Sequence, residues 1–237
     1  MKIKALLLSA GFGTRLKPIT NKIPKCLVRI NNIPILEHWL VKLEKLGIDE
    51  VLINKHYLAE QVEEFLKERA KSNLKITQVY EEYLFGTAGT LIKNKSFFYQ
   101  SNILFIHTDN YTTSDLSGLL ESFTNRPKKC LMTMLTFDCL DPKSCGIVEV
   151  DSQGIVKSFH EKIANPPTNL ANGAIYLFNY KLIDSLINEV TEFTDFSCDV
   201  IPKLINQINT WKVDKFFIDI GTPDSLKIAC NHKDTFL

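Results

Sequence analysis

Along the first 136 residues, apolar positions alternate between short continuous runs and stripes at helical spacing. Ile3 to Leu8 is such a run, ended by a glycine turn, and reads as a buried parallel strand. Leu36, Trp39, Leu40, Leu43 and Leu46 recur on one helical face and Gly47 follows, which predicts a helix closed by glycine. Val51-Leu52-Ile53 predicts the next strand, and Leu58, Val62, Phe65 and Leu66 another amphipathic helix. Strands are expected at Ile76 to Val79 and Ile103 to Ile106, with helices near 87–94 and 115–124. This alternation predicts a mostly parallel sheet with helices on both faces.

From about residue 129 the rhythm changes. Leu131 to Phe137, Ile147 to Val150, Ile155 to Phe159 and Ala174 to Phe178 are expected strands, with a turn at Asp151-Ser152-Gln153-Gly154. Helices are expected near 180–189 and 198–208, then a strand at Phe216-Phe217-Ile218 and a terminal helix after Pro223. No internal repeat or Pro/Gly/Ser linker interrupts the chain. The economical reading is one domain with two lobes, about 1–136 and about 137–237.

Composition narrows the classes of function. A net charge of +1 excludes a broad electrostatic grip on nucleic acid or an acidic membrane. No run approaches the roughly 20 apolar residues that cross a bilayer. The apolar start at Ala5 to Ala10 is too short for a signal peptide. Six cysteines stand without CxxC or zinc-ligand spacing, so reduced thiols and a cytoplasmic location are expected.

Against that near-neutral background, Leu8-Ser9-Ala10-Gly11-Phe12-Gly13-Thr14-Arg15-Leu16 places a cation beside a glycine turn, and Pro24-Lys25 supplies a second. Glycines after a strand let backbone amides approach phosphate oxygens. The guanidinium of Arg15 matches phosphate geometry, and Lys25 adds a mobile point charge. The dinucleotide fingerprint is absent, because Leu16 stands where a third glycine belongs, and no Gly-Lys-Ser/Thr completes a Walker A loop.

GxGTRL followed by Pro-Lys resembles the signature of the sugar nucleotidyltransferase family, and six further segments match in order. They are Gly86-Thr87-Ala88-Gly89 near the base, Asp109 at a strand end, Cys145-Gly146-Ile147-Val148, Glu161-Lys162 with Asn172-Gly173-Ala174-Ile175-Tyr176, and Asp219-Ile220-Gly221-Thr222-Pro223. The resemblance implies a single Rossmann-like three-layer α/β domain with a mostly parallel mixed sheet and a smaller sugar-binding lobe. It implies transfer of a nucleoside monophosphate from an NTP to a sugar-1-phosphate, with Mg²⁺ held by Asp109 and Asp219. Leu8, Ala10, Gly11, Gly13, Thr14, Arg15, Glu81, Gly86, Thr87 and Asp109 would bind the nucleotide, and Gly146, Glu161, Lys162 and Asn172 the sugar phosphate. Arg15, Lys25 and Lys162 would carry the chemistry. Thr108, Ile163 and Cys145 depart from the family's common glycine or serine, proline and tyrosine, which bears on the sugar-pocket details.

The GTAG form at 86–89 resembles the branch making GDP-mannose and GDP-manno-heptose, so GTP and mannose- or D-glycero-D-manno-heptose 1-phosphate are the favoured substrates. Other bases (UTP, CTP, dTTP), a hexosamine phosphate or a non-catalytic nucleotide-sugar sensor stay open, as does a homo-oligomer.

Overall fold

A computed structural model describes residues 2–69, 72–186 and 194–233. In chain order the elements are β1 (Ile3–Leu8), β2 (Arg29–Ile30), β3 (Ile33–Pro34), α1 (Ile35–Lys45), β4 (Glu50–Lys55), α2 (Ala59–Glu68), β5 (Lys75–Tyr80) and α3 (Thr87–Lys93). They continue with β6 (Asn102–His107), β7 (Asn110–Thr112), α4 (Ser117–Thr124), β8 (Met132–Asp138), β9 (Gly146–Val150), β10 (Val156–Glu161), β11 (Leu170–Asn179) and α5 (Lys181–Leu186). Strands β12 (Ile208–Lys212) and β13 (Phe217–Asp219) and helix α6 (Pro223–Asn231) close the chain. The fold is α/β with a mixed sheet, and the chain divides into two compact units.

The first unit comprises Lys4–Leu84, Ile106–Asp115 and Lys215–Leu237. Its strands β1, β4 and β5 are parallel neighbours, with Ala5 opposite Val51 and Val51 opposite Ile76. Parallel pairing requires crossovers, and α1 and α2 provide them. Trp39, Leu40 and Leu43 of α1 and Val62 of α2 are buried, as are Ala5, Leu6 and Leu7 of β1 and Val51, Leu52 and Ile53 of β4. The expected glycine at the end of α1 does its work: Gly47 has φ +70°, and its amide donates to the Glu44 carbonyl at 3.0 Å. A short ribbon, β7 with β13, brings Asp219 opposite Asn110.

The second unit comprises Met1–Ile3, Phe85–Phe105 and Leu116–Asp214. Here β8, β9 and β10 are linked through β11 in antiparallel pairings, and β12 runs parallel to β8. Its core holds an aromatic cluster in which Phe105, Tyr176 and Phe178 all pack on Phe196, with centroids 4.7, 4.9 and 5.7 Å away. The Asp151 turn forms as expected: Asp151 Oδ1 accepts the amides of Gln153 and Ile155, and Gly154 takes φ +74°.

One expectation needs correction. Residues 198–208 do not form an α-helix: a π-helical turn at Phe196–Val200 passes into a 3-10 turn at Ile201–Leu204, and β12 begins at Ile208. Pro202 lacks the amide that an α-helix would use there. Strand β12 escapes pattern reading because its polar positions are satisfied inside the fold, with Asn209 Oδ1 accepting from Thr133 Oγ1 at 2.8 Å. The helix expected near 180–189 is described through Leu186; residues 187–189 lie outside the described residues.

Candidate active site

In the first unit the apolar strand β1 runs out at Leu8, and the chain turns through Ser9, Ala10 and Gly11. Ser9 and Ala10 are buried; Gly11, Thr14 and Arg15 face solvent. The Ser9 amide donates to Asn54 Oδ1 at 2.7 Å, and Asn54 Nδ2 donates to Glu81 Oε1 at 2.9 Å. One amide side chain thus ties the loop to the ends of β4 and β5. Glu81 is only 2% exposed, whereas Glu82 beside it is solvated. Asn54 was invisible to pattern reading, since a polar residue ending an apolar run looks like an ordinary strand terminus.

The two loop glycines serve different needs. Gly13 adopts φ +62°, and a Cβ there would lie 2.8 Å from Thr20 Cγ2 and 3.1 Å from Lys25 Cβ. Thr20 Oγ1 donates to the Gly13 carbonyl at 2.7 Å, pinning the turn against the segment that leads to Lys25. A Cβ on Gly11 would meet no heavy atom within 4 Å, so packing within the protein does not demand glycine there.

The acids arrive from two later segments of the sequence. Asp109 follows β6 and opens β7, while Asp219 ends β13. The β7–β13 register sets Asp219 against Asn110, and the Ile220 amide donates to the Asp109 carbonyl at 2.9 Å. The ammonium of Lys25 donates to Asp109 Oδ2 and lies 3.7 Å from Asp219 Oδ1. Arg15 Nη2 stands 3.8 Å from Asp219 Oδ2. Gly221 makes room for this pair, because a Cβ would come within 2.8 Å of Arg15 Nη2 and 2.9 Å of Asp219 Oδ1. Arg15, Lys25, Asp109 and Asp219 therefore meet at one place.

The two carboxyls are driven apart in acidity. Burial pushes Asp109 up, but the Lys25 ammonium, with a smaller contribution from His107, holds it below the ordinary aspartate value of 3.8. Asp219 goes the other way: burial raises it, the neighbouring charge of Asp109 raises it further, and Lys25 and Arg15 only partly offset this. Of the two acids, Asp219 is the one whose charge its neighbours compensate less completely.

In the second unit, Gly86 takes φ +80° and precedes α3. The Thr87 hydroxyl donates to Asp195 Oδ2 at 3.1 Å and accepts the Phe196 amide at 2.7 Å, so it fastens the helix start to the segment after 194. Glu161 stands opposite Gly146 across β10 and β9. A Cβ on Gly146 would lie 2.7 Å from Glu161 Oε2 and 2.9 Å from the Phe159 ring, so glycine here admits the protein's own carboxylate. Lys162 has φ +50°, and its ammonium, largely exposed, pairs with Glu161 Oε1 at 3.0 Å. Ala171 of β11 faces Ile147, which brings Asn172 alongside Gly146. Asn172 Nδ2 donates to the Tyr176 hydroxyl at 2.7 Å, and its Oδ1 accepts the Ala174 amide at 2.9 Å. Gly146, Glu161, Lys162 and Asn172 thus form one polar patch.

A family model described as nucleotidyl transferase matches residues 4–235. A D-glycero-alpha-D-manno-heptose 1-phosphate guanylyltransferase of Campylobacter jejuni is 34% identical over 225 residues, covering 94% of this chain and 96% of that protein. A mannose-1-phosphate guanylyltransferase catalytic subunit beta of Drosophila melanogaster is 32% identical over 93% of this chain, but the chain spans only 60% of that relative's length. Among solved structures, HddC from Yersinia pseudotuberculosis superposes with a TM-score of 0.81 at 25% identity, covering 96% of this chain and 97% of that one. A second HddC structure, complexed with GMP-PN, gives 0.80 at 25% identity, with the same coverage of both chains. The chain belongs to the nucleotidyl transferase family.

Proposed function

We propose that the protein is a sugar-1-phosphate guanylyltransferase, which joins GMP from GTP to mannose-1-phosphate or D-glycero-D-manno-heptose 1-phosphate and releases pyrophosphate. The observation that carries this reading is the meeting of Arg15, Lys25, Asp109 and Asp219 beside the Gly11–Gly13 turn. The choice of guanine and of a manno-configured sugar is supported by the Campylobacter relative of nearly equal length and by the neighbour that binds GMP-PN.

Two carboxylates around one ammonium form a hard-oxygen pair of the kind Mg²⁺ takes together with phosphate and water. Among the described residues no third His, Cys, Asp or Glu completes a protein-only metal cluster, so substrate oxygens would fill the remaining positions. Asp109 and Asp219 would hold the ion, which supplies charge neutralisation at the transferring phosphoryl group.

The chain's own groups account for the rest. A phosphate oxygen of the sugar-1-phosphate attacks the α-phosphorus in line; the new O–P bond forms as the bond to the β-phosphate oxygen breaks, and pyrophosphate departs with that electron pair. The nucleophile is already ionised, so no general base is needed. The open face of Gly11 lets backbone amides approach the triphosphate, and Arg15 and Lys25 neutralise charge on its oxygens. Lys162 holds the sugar phosphate, while Glu161 and Asn172 accept or donate at sugar hydroxyls. The buried Glu81 carboxylate is suited to accept from guanine N1–H and its amino group. No helix of the described residues is long and apolar enough to cross a membrane, and the six free thiols suit the reducing cytoplasm that we propose as its compartment.

Pyrophosphate release from four NTPs crossed with a panel of sugar-1-phosphates, with and without Mg²⁺, tests the reading. GTP with a manno-configured phosphate should give the highest kcat/KM. Nucleotide-sugar binding without release from any pair would instead mean a sensor.

A further inference from the structure

Trp39 sits in the middle of α1, 1% exposed, and its indole nitrogen faces two carbonyls of the neighbouring segment. Nε1 donates to the Asn110 carbonyl at 2.9 Å and to the Thr108 carbonyl at 3.2 Å. These two carbonyls belong to the residues on either side of Asp109. A single N–H shared between them fixes the peptide that enters the acid and the one that follows Asn110, on either side of the Asp109 carbonyl.

The rest of the helix face works in the same direction. His38 meets the Tyr111 ring edge-on at 5.0 Å, and Lys42, one turn further along, donates to the Ser114 carbonyl at 2.8 Å. On the opposite side the Asp109 carbonyl is taken by the Ile220 amide. Core packing alone would be satisfied by another large aromatic ring; the two carbonyl contacts need the indole N–H.

We propose that Trp39 is a positioning residue for the reaction: its N–H clamps the Asp109 turn so that the carboxylate stays poised beside Lys25 and Asp219 for the cation. This rests on reading Asp109 as a cation ligand. Small displacements of a ligating group weaken both binding and turnover, whereas the sugar phosphate is bound by other residues.

The test compares wild type with Trp39→Phe, which keeps a ring but removes the donor. Three quantities are read: Mn²⁺ affinity by electron paramagnetic resonance in the presence of GTP, kcat and KM for the sugar phosphate, and hydrogen exchange of the Ile220 amide. Mn²⁺ affinity and kcat should each fall about tenfold. KM for the sugar phosphate should stay within about twofold, and Ile220 should exchange faster while amides of β5 do not. Should Trp39→Phe not fold, β-(3-benzothienyl)alanine at position 39 keeps the bicycle and replaces N–H by sulfur. Unchanged exchange at Ile220 would overturn the clamp. Faster exchange with wild-type Mn²⁺ affinity and kcat would overturn its role in positioning. Failure of wild type to bind Mn²⁺ or to release pyrophosphate would overturn the proposed function instead, and the two failures are distinguishable.

Discussion

The amide of Ile220 donates to the carbonyl of Asp109 at 2.9 Å, a bond that ties together the two segments carrying the acids of the site. Asp219 is the residue before Ile220, so wherever the β7–β13 ribbon holds, the two carboxylates stay together around Lys25.

Gly13 and Gly11 should respond differently to alanine. Gly13→Ala forces a side chain into φ +62° and against Thr20, and should destabilise the protein by about 1–2 kcal/mol or more. Gly11→Ala meets open space and should leave the melting temperature within about 1 °C. It should nonetheless raise KM for the nucleotide about tenfold or more, because the ligand comes close there. Thermal melts and steady-state kinetics on the two variants check this; equal effects on stability would contradict the crowded Gly13 and the open Gly11.

The split acidity of the aspartates gives a pH signature. Asp109 is depressed, so its contribution to stability is present above the ordinary value of 3.8 and is lost as pH falls through its lowered value. Asp219 is raised, so its contribution is present below 3.8 and is lost as pH rises through its elevated value. Without divalent cation, Asp219→Asn should therefore gain stability relative to wild type as pH rises through that elevated value, and the gap should close in acid. Melts of both proteins from about pH 4 to about pH 8 measure it, and a pH-independent gap would contradict the raised carboxyl.

Much of this was readable in advance, and the exceptions have physical reasons. The apolar run at Ile3–Leu8 could end only at the glycine turn, and the stripe ending at Gly47 could only be a capped helix. The motif residues Arg15, Lys25, Asp109 and Asp219 were named from sequence, and the structure brings them together. What brings them together was not readable. The strand expected at Phe216-Phe217-Ile218 forms as β13, but its partner β7 is three residues long, too short to show a period. Thr20 and Asn54 act through single hydrogen bonds across long sequence separations, which no local pattern records. The helix expected at 198–208 gives way to tighter and wider turns around Pro202, and β12 is hidden because buried polar groups such as Asn209, satisfied by tertiary partners, look like loop or helix surface.

On the sugar side, Lys162 is anchored only to Glu161 and to the turn at Cys145 among the described contacts, and its side chain is 59% exposed. Lys162→Met should change stability by no more than about 0.5 kcal/mol. It should raise KM for the sugar-1-phosphate about tenfold or more and leave nucleotide affinity unchanged. Isothermal calorimetry with GTP and kinetics with the sugar phosphate separate the two; equal losses for both substrates would place Lys162 elsewhere in the mechanism.

Arg15 stands 3.8 Å from Asp219 at the mouth of the site and is largely exposed, so its ion pair adds little to the fold. Arg15→Ala should melt like wild type and lose about two to three orders of magnitude in kcat. Retained turnover would show that the guanidinium is not aimed at the triphosphate.

The most direct measurement is a Mn²⁺ titration of the GTP-bound protein, comparing wild type with Asp109→Asn and Asp219→Asn, each checked for an intact fold by its melt. Wild type should bind the ion tightly and both variants should lose that binding with pyrophosphate release, although the two residues lie far apart in the sequence. Wild-type affinity in either folded variant would contradict a shared cation between them.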